Sequence, residues 1–413
     1  MLRSLTPLLL LFVQVAYAQD TLRVMSYNLL NFPDPNPAGK ADTLADILAW
    51  HPVDLLIAEE VHNAVGAQMV LDESLNANGV DRFSMAPFVP QQSAPWNTIK
   101  LAQIIYYDHN KLGLRDQTLL YTDIRDINVY TLYLRDNGIF QGDTTFLTVV
   151  GLHLKASNDQ SDINDRVAMA ETLMDHLATL PAGRHVIIGG DFNIYSGTEA
   201  AFTTLLTASG NIQIADPLDL GGSAWNSSSF AAIHTQSTRV NTLFGDGAGG
   251  GLDDRFDMLL VSDELVSGGS DLHMVPGSYL PLGNNGTCWN ENITNCSTLQ
   301  TPYGILRKLF YMSDHLPITL KLATSAVLGF PSQDGASFGS TSMAQVGRGV
   351  RIANCTGPGS FVLMDLNGRV ILQRDIRSGG SSCTIALPEG LHGAYIARLV
   401  STESAVSLRI VLE

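Results

Sequence analysis

Hydrophobic and polar positions divide the chain into two regions with different rhythms. In the first, short β-branched runs alternate with longer helical patterns. Leu22–Tyr27, Asp54–Ala58, Ile104–Tyr107, Val129–Leu134, Phe146–Leu154, Val186–Ile188 and Arg255–Val261 read as strands, and a further strand ends near Leu322. Helical spacing marks Ala41–Trp50 through Leu44, Ile47 and Leu48, and recurs in Asn63–Leu75, Asp162–Leu180 and Glu199–Leu206. On the third of these helices Val167, Ala170, Leu173, Met174 and Leu177 form one apolar face. Strands alternating with helices predict the α/β class. Stretches 207–252 and 276–304 are rich in Gly, Ser and Asn and are expected to be long surface loops.

The second region has only the shorter rhythm. Residues 324–343, rich in Ser, Gly and Ala, read as a linker. Beyond them come β-prone runs at Val350–Ala353, Phe361–Asp365, Val370–Gln373, Thr384–Leu387, Ala394–Leu399 and Ser407–Val411. Asn367-Gly368 between two of these runs is a hairpin signal. A small C-terminal all-β sandwich over 344–413 is expected.

The stretch Val186–Asn193, VIIGGDFN, concentrates the candidate chemistry. Its apolar run is expected to stop at Gly189 and Gly190, where a tight turn or close backbone approach is easiest. Asp191 and Asn193 would then project from the strand end, where layered α/β folds bind ligands. Capping of a turn by Asp and Asn explains such a stretch taken alone. Asn28, Glu60, His153, Asp257, Asp314 and His315 occupy the same type of position, and that repetition favours chemistry. Carboxylates grouped with Asn, and without Cys, suit a hard divalent ion such as Mg²⁺, Mn²⁺ or Ca²⁺. Two histidines among them suit acid–base work near neutral pH.

Charge and cysteines narrow the function classes. Residues 20–323 carry 16 Lys and Arg against 34 Asp and Glu, a net −18 within a chain total of −16. That excludes passive electrostatic binding of nucleic acid, though not cleavage of a polyanion by a site that holds cations. Met1–Ala18 has Arg3, an apolar run Leu8–Val15 and Ala16-Tyr17-Ala18, the pattern of a secretory signal peptide. The run is too short for a membrane anchor, and no other stretch reaches spanning length. Four cysteines fit an exported protein, with 288–296 and 355–383 the favoured pairs among three pairings. No Cys/His spacing suggests zinc.

Six ordered motifs carry a resemblance. They are Ser26-Tyr27-Asn28, Ala58-Glu59-Glu60-Val61, Gly151-Leu152-His153-Leu154-Lys155, Gly190-Asp191-Phe192-Asn193, Asp254-Arg255-Phe256-Asp257 and Ser313-Asp314-His315. Over residues 20–323 the chain resembles the endonuclease/exonuclease/phosphatase superfamily, which includes deoxyribonucleases, sphingomyelinases and inositol-phosphate phosphatases. The resemblance implies a four-layer α/β sandwich, two packed mixed sheets flanked by helices, and metal-dependent phosphoester hydrolysis. It implies that Glu60, with Asn28 and Asp314, holds a divalent ion, magnesium first, manganese or calcium next. Asp191 orients the attacking water, Asn193 lies beside the scissile phosphate, and Asp257 orients His315. His153 is the second histidine and Arg125 a phosphate-binding arginine. The deoxyribonuclease branch also places an acid beside the first histidine, and the run Leu101–Tyr107 contains none.

Leu387-Pro388-Glu389-Gly390 and Gly393–Leu399 resemble the sorting domain of the type IX secretion system. The implied plan is a signal peptide over 1–18, a catalytic domain over 19–323, a linker over 324–343 and a sorting domain over 344–413. The expected protein is secreted or held at the cell surface. It is a monomer without a transmembrane segment, acts on a phosphodiester, DNA or RNA, and meets the type IX machinery through its C-terminal domain. A phospholipid or sphingomyelin phosphodiesterase, a phosphomonoesterase, and a silent surface-binding protein are the alternatives.

Overall fold

Two β-sheets face each other across a core built from alternate residues of their strands. The structure, a computed structural model, describes residues 20–33, 38–96, 100–136, 139, 144–243, 245–267, 271–296, 300–326, 328, 335–338, 341–353, 359–365, 368–376, 382–401 and 405–412. The signal peptide, Cys355 and Asn367 lie outside them.

In chain order the first region contains β1 (Asp20–Phe32), α1 (Lys40–Trp50), β2 (Leu55–Val61), α2 (Ala64–Met69), β3 (Phe83–Met85), β4 (Ala102–Asp108), β5 (Leu112–Leu120), β6 (Ile127–Leu134) and β7 (Phe146–His153). There follow α3 (Gln160–Leu177), β8 (His185–Asp191), α4 (Ala200–Leu205), β9 (Ile214–Ala215), β10 (Asp257–Ser262), α5 (Asp263–Val266), β11 (Leu272–Met274), β12 (Leu280–Pro281), α6 (Tyr303–Met312) and β13 (Ile318–Thr324). One sheet has the order β11-β13-β1-β2-β4-β3, with β12 on β13, and the other β5-β6-β7-β8-β10-β9.

Strand alternation sets the layers. Val24, Leu55, Ile57 and Ile105 of the first sheet meet Leu132, Val149, Ile187 and Leu259 of the second. The opposite residues, Met25, Leu56 and Ala58, pack under α1 and α6. Val150, Ile188 and Leu260 pack under α3 and α4. The result is the four-layer α/β sandwich. α3 starts at a capping box between Asp159 and Asp162. Its buried face differs from the periodic reading: Val167 is only half-buried, while Asp162, Arg166 and Met169 are buried. Arg166 is fully buried beside Met169 and Ala170, because its guanidinium donates to Glu199 at 2.5 Å and to the carbonyls of Lys155 and Ser157 at 2.8 and 2.6 Å. A paired and hydrogen-bonded charge tolerates burial that a bare one does not.

Three further expectations are corrected. β8 does not stop at Gly189; it runs to Asp191 in parallel register with β7, and Gly189 and Gly190 lie inside it. Of the two uses expected of them, they serve close backbone approach and not a turn. A Cβ on Gly189 would come within 2.6 Å of Ile57, and one on Gly190 within 1.9 Å of the Leu152 carbonyl oxygen. Gly190→Ala is therefore expected to cost about 3 kcal/mol, read as a lower midpoint in denaturant unfolding. An unchanged midpoint would contradict this tight contact between β7 and β8.

The stretch 207–252 is not a surface loop throughout: His234, Thr235, Ser237, Thr238 and Arg239 are buried. Burial is possible because its backbone is satisfied by bridges from Gln236 to Asp254 and His315. In the stretch 276–304, Cys288 and Cys296 form the expected disulfide, and both sit in the core under α1 and α6. The helix expected over Asn63–Leu75 is α2 followed by a wider π turn at Val70–Leu75.

The C-terminal strands are β14 (Gly335–Phe338), β15 (Thr341–Val346), β16 (Gly349–Ala353), β17 (Gly359–Asp365), β18 (Val370–Ile376), β19 (Ser382–Ala386), β20 (Gly393–Ser401) and β21 (Ala405–Leu412). They form two four-stranded sheets, β14-β15-β16-β19 and β18-β17-β20-β21. Val350, Ile352 and Ile385 of one share a core with Phe361, Leu399 and Ile410 of the other, which makes a small all-β sandwich. Strand pairing begins at Gly335, inside the stretch read as a linker.

Candidate active site at one edge of the two sheets

Topology gathers the candidate residues. β1 and β2 run parallel, as do β7 and β8, so Asn28, Glu60, His153 and Asp191 all fall at C-terminal strand ends. β10 runs antiparallel to β8, and its first residue, Asp257, pairs with Asp191. β13 is antiparallel to β1, which brings His315, just before it, to the same edge. Asn28, Glu60, His153, Asp191, Asn193, Asp257, Asp314 and His315 are each no more than 9% exposed.

Backbone irregularities aim two of these side chains. The register of β2 against β4 shifts between Ala58 and Val61, and Glu60 sits within the shift at φ 60°. Such bulges re-aim side chains next to sites. Glu59 consequently enters the core between the sheets while Glu60 faces the edge. Asn193 also has a left-handed φ, 50°. Asn tolerates that region and Glu does not, so the strain at Glu60 is the more informative.

Asp191 is the hub. Its Oδ2 lies 3.3 Å from Asn28 Nδ2, 3.3 Å from His153 Nε2 and 3.7 Å from His315 Nε2. Its Oδ1 accepts the Asn193 backbone N–H at 3.0 Å. Asn28 Nδ2 also donates to Glu60 Oε1 at 3.0 Å, while its carbonyl accepts from Leu30 N at 3.0 Å. Asn28 thus holds two carboxylates through its NH₂, with its carbonyl turned to the backbone. The Asn31 N–H fixes Glu60 Oε2 at 2.9 Å. Asp257 Oδ2 lies 2.8 Å from His315 Nδ1, across 58 residues of sequence.

The remaining candidates are less central. Asp314 Oδ2 accepts from Ala248 N at 2.6 Å and Gln236 Nε2 at 3.2 Å, leaving Oδ1 buried without a hydrogen bond, 3.9 Å from His315 Nε2. Arg125 Nη1 and Asn193 Nδ2 both donate to the Leu154 carbonyl, at 2.6 and 3.2 Å. Arg125 therefore reaches the site margin through the backbone that ends β7.

Electrostatics separates the two histidines. Burial works against charge on His315, but Asp257, Asp314 and Asp191 outweigh it and hold the imidazolium pKa well above the ordinary value. Burial, then Arg125 and His315, holds His153 well below it. His153 Nδ1 is buried without a hydrogen bond and lies 3.8 Å from Glu60 Oε1. No acid lies at the start of β4, where Gln103 is instead turned to Asn128 at 3.1 Å. Burial pushes the Asp191 carboxyl up to about 7, against the opposing charge of His315. Burial also holds Glu59 well above the usual carboxylate range, although Ser26 Oγ donates to it at 2.8 Å.

Gln236 is a site residue the sequence reading missed. Its Nε2 lies 2.6 Å from His315 Nε2. With Nδ1–H directed at Asp257, the neutral ring accepts this amide N–H at Nε2, whereas the charged ring would donate to the amide oxygen instead. Nothing periodic marks Gln236, and the Gly-, Ser- and Asn-rich composition of 207–252 offered no signal for it.

No protein-family model matches the chain, and no curated protein sequence matches it. Among solved structures, TDP2 from D. rerio complexed with single strand DNA product is 14% identical at a TM-score of 0.47, over 74% of this chain and 99% of that one. The human Nocturnin catalytic domain with bound sulfate is 18% identical at 0.47, over 74% and 98%. An endonuclease/exonuclease/phosphatase from Beutenbergia cavernae DSM 12333 is 15% identical at 0.46, over 95% and 100%. Similarity this low decides nothing about activity here; the distances within the chain's own edge bear on that.

Proposed function

We propose that the chain is a secreted, divalent-metal-dependent phosphodiesterase of the endonuclease/exonuclease/phosphatase type, acting on nucleic acid. The observation that carries this reading is Asp191 Oδ2, set within 3.7 Å of both histidine rings while Asp257 holds the far nitrogen of one ring at 2.8 Å. A phosphodiester is anionic, and its hydrolysis needs a positioned water, a charge-stabilising group and a proton for the leaving oxygen. Asp191 is placed to orient the water and accept its proton. His315, kept cationic by its carboxylate neighbours, is placed to stabilise the phosphoryl oxygens and supply the proton. His153, kept uncharged by burial although Glu60 and Asp191 flank it, is a hydrogen-bonding wall of the site. Asn28 and the Asn193 backbone keep Asp191 in place.

The donor set fits a hard divalent ion. Glu60 is held at the edge by Asn28 and Asn31, and Asp314 Oδ1 is a buried oxygen that accepts no hydrogen bond. Among the described residues no three His, Cys, Asp or Glu side chains are grouped to hold a metal. Mg²⁺ does not require such a group, because it keeps several waters and takes one or two carboxylates. Glu60 and Asp314 would hold the ion, and Asn28 would orient Glu60. Bound there, it would supply Lewis-acid stabilisation of the phosphoryl oxygens. Glu60→Gln is expected to keep the fold and to weaken Mg²⁺ binding by calorimetry at least about tenfold, since one charge-bearing ligand is lost. An unchanged titration would remove Glu60 from the ligand set.

Export rests on the signal-peptide pattern of residues 1–18 and the sorting-domain resemblance of 344–413. Among the described residues no helix is long and apolar enough to cross a membrane. The functional reading is tested by incubating the protein with single- and double-stranded DNA, RNA, sphingomyelin and a phosphomonoester, with Mg²⁺, Mn²⁺, Ca²⁺ or EDTA. Metal-dependent cleavage of a nucleic acid is expected. Turnover of sphingomyelin or the monoester alone would move the substrate class, and no turnover of any substrate would overturn the reading.

A further inference from the structure

Two aromatic residues share an edge with the catalytic candidates without belonging to them. β4 is antiparallel to β2, with Ala102 opposite Val61, so the segment entering β4 lies at the edge that holds Glu60. β6 is antiparallel to β7, with Asn128 opposite Gly151, so the segment entering β6 lies at the edge that holds His153. The two segments are bound to each other. Asp126 accepts from Ser93 N at 2.9 Å and also from Ser93 Oγ, and Thr122 N donates to Ser93 Oγ at 3.1 Å. Gln91 Nε2 donates to the Ile124 carbonyl at 3.1 Å. On this clamped pair Trp96 is 77% exposed and Tyr121 65%. Arg125 of the same pair reaches the end of β7.

We infer that Trp96 and Tyr121 form a stacking platform for the bases of a single-stranded nucleic acid whose backbone runs past Arg125 toward Asp191. The inference rests on the proposed phosphodiesterase site and adds its substrate class. A lone exposed aromatic is ordinary surface. Two on mutually bonded segments beside an arginine and a phosphate-handling edge are not. Bases offer π-faces of any sequence, and an unpaired strand exposes them where a duplex does not. Clamped segments also lose little conformational freedom on binding. Membrane insertion is disfavoured because Tyr121 is flanked by Thr122 and the exposed Asp123.

The test is equilibrium binding of labelled dT12, U12 and a blunt 12-base-pair duplex to the full chain in EDTA, followed by anisotropy. Removing one ring is expected to cost 1–3 kcal/mol, so Trp96→Ala and Tyr121→Ala should each weaken single-strand binding about 5- to 150-fold. Trp96→Phe should restore most of it, and circular dichroism should confirm folding of each variant. Preference between dT12 and U12 assigns the strand as DNA or RNA. No binding by the wild type, equal binding by the double variant, or a preference for the duplex would overturn the platform. So would Trp96-dependent binding to sphingomyelin vesicles instead of oligonucleotides. Because binding is read without turnover, the platform can fail while cleavage persists, and cleavage can fail while the platform stands.

Discussion

His315→Ala is expected to lower the turnover of a phosphodiester by about 10²- to 10⁴-fold, the range for loss of a positioned acid or base. The size follows from where the ring sits. Its Nδ1 is fixed by Asp257 at 2.8 Å and its Nε2 is 3.7 Å from Asp191, so alanine removes the cation that faces the water-orienting carboxylate. Asp257→Asn should lose more than tenfold, because a neutral amide neither holds the ring cation nor specifies its tautomer. The double variant should be no slower than His315→Ala, since members of one unit do not act additively. Multiplicative losses would mean that Asp257 and His315 act separately. Asp257→Asn should also move the alkaline limb of the pH–rate profile to lower pH. The sign follows from Asp257 raising the His315 pKa: without it the cation is lost earlier as pH rises.

Asp191→Asn is expected to cost at least about 10³-fold in kcat, with KM changing much less, because an amide preserves the shape of the hub but cannot accept the water's proton. The wild-type acidic limb belongs to the same group. Burial pushes Asp191 up to about 7, so activity should rise with pH as this carboxyl ionises. A bound divalent ion favours the charged form and would shift that limb to lower pH. Asp191 and His315 interact directly, so the two limbs describe the pair. A profile that keeps its acidic limb in Asp191→Asn would assign that limb elsewhere.

The edge was legible in the sequence wherever a polar residue closes an apolar run. Asn28, Glu60, His153 and Asp191 are such residues, on strands that read as apolar runs and are buried on both faces, while Asp257 opens its run. The absence of an acid in Leu101–Tyr107 was also legible, and His153 Nδ1 makes no hydrogen bond, with Glu60 Oε1 3.8 Å away. Other features depended on contacts distant in sequence. Gly189 and Gly190 read locally as a strand stop, yet glycine also permits close approach, here of the facing sheet at Ile57 and of the neighbouring strand at Leu152. Gln236 lies in a stretch without periodicity, and only its bridges to Asp254 and His315 bring it to the site. Arg166 interrupts an apolar face that its partner Glu199, 33 residues away, makes tolerable.

The most direct test of the central claim, that these strand ends form one metal-dependent phosphodiesterase site, is cleavage of an end-labelled single-stranded oligonucleotide by wild type and Asp191→Asn. Reactions run in Mg²⁺, in EDTA, and in EDTA followed by excess Mg²⁺. The account predicts cleavage by the wild type that stops in EDTA and returns with Mg²⁺, and at least about 10³-fold slower cleavage by Asp191→Asn. Equal rates in the two proteins, or cleavage indifferent to EDTA, would contradict it.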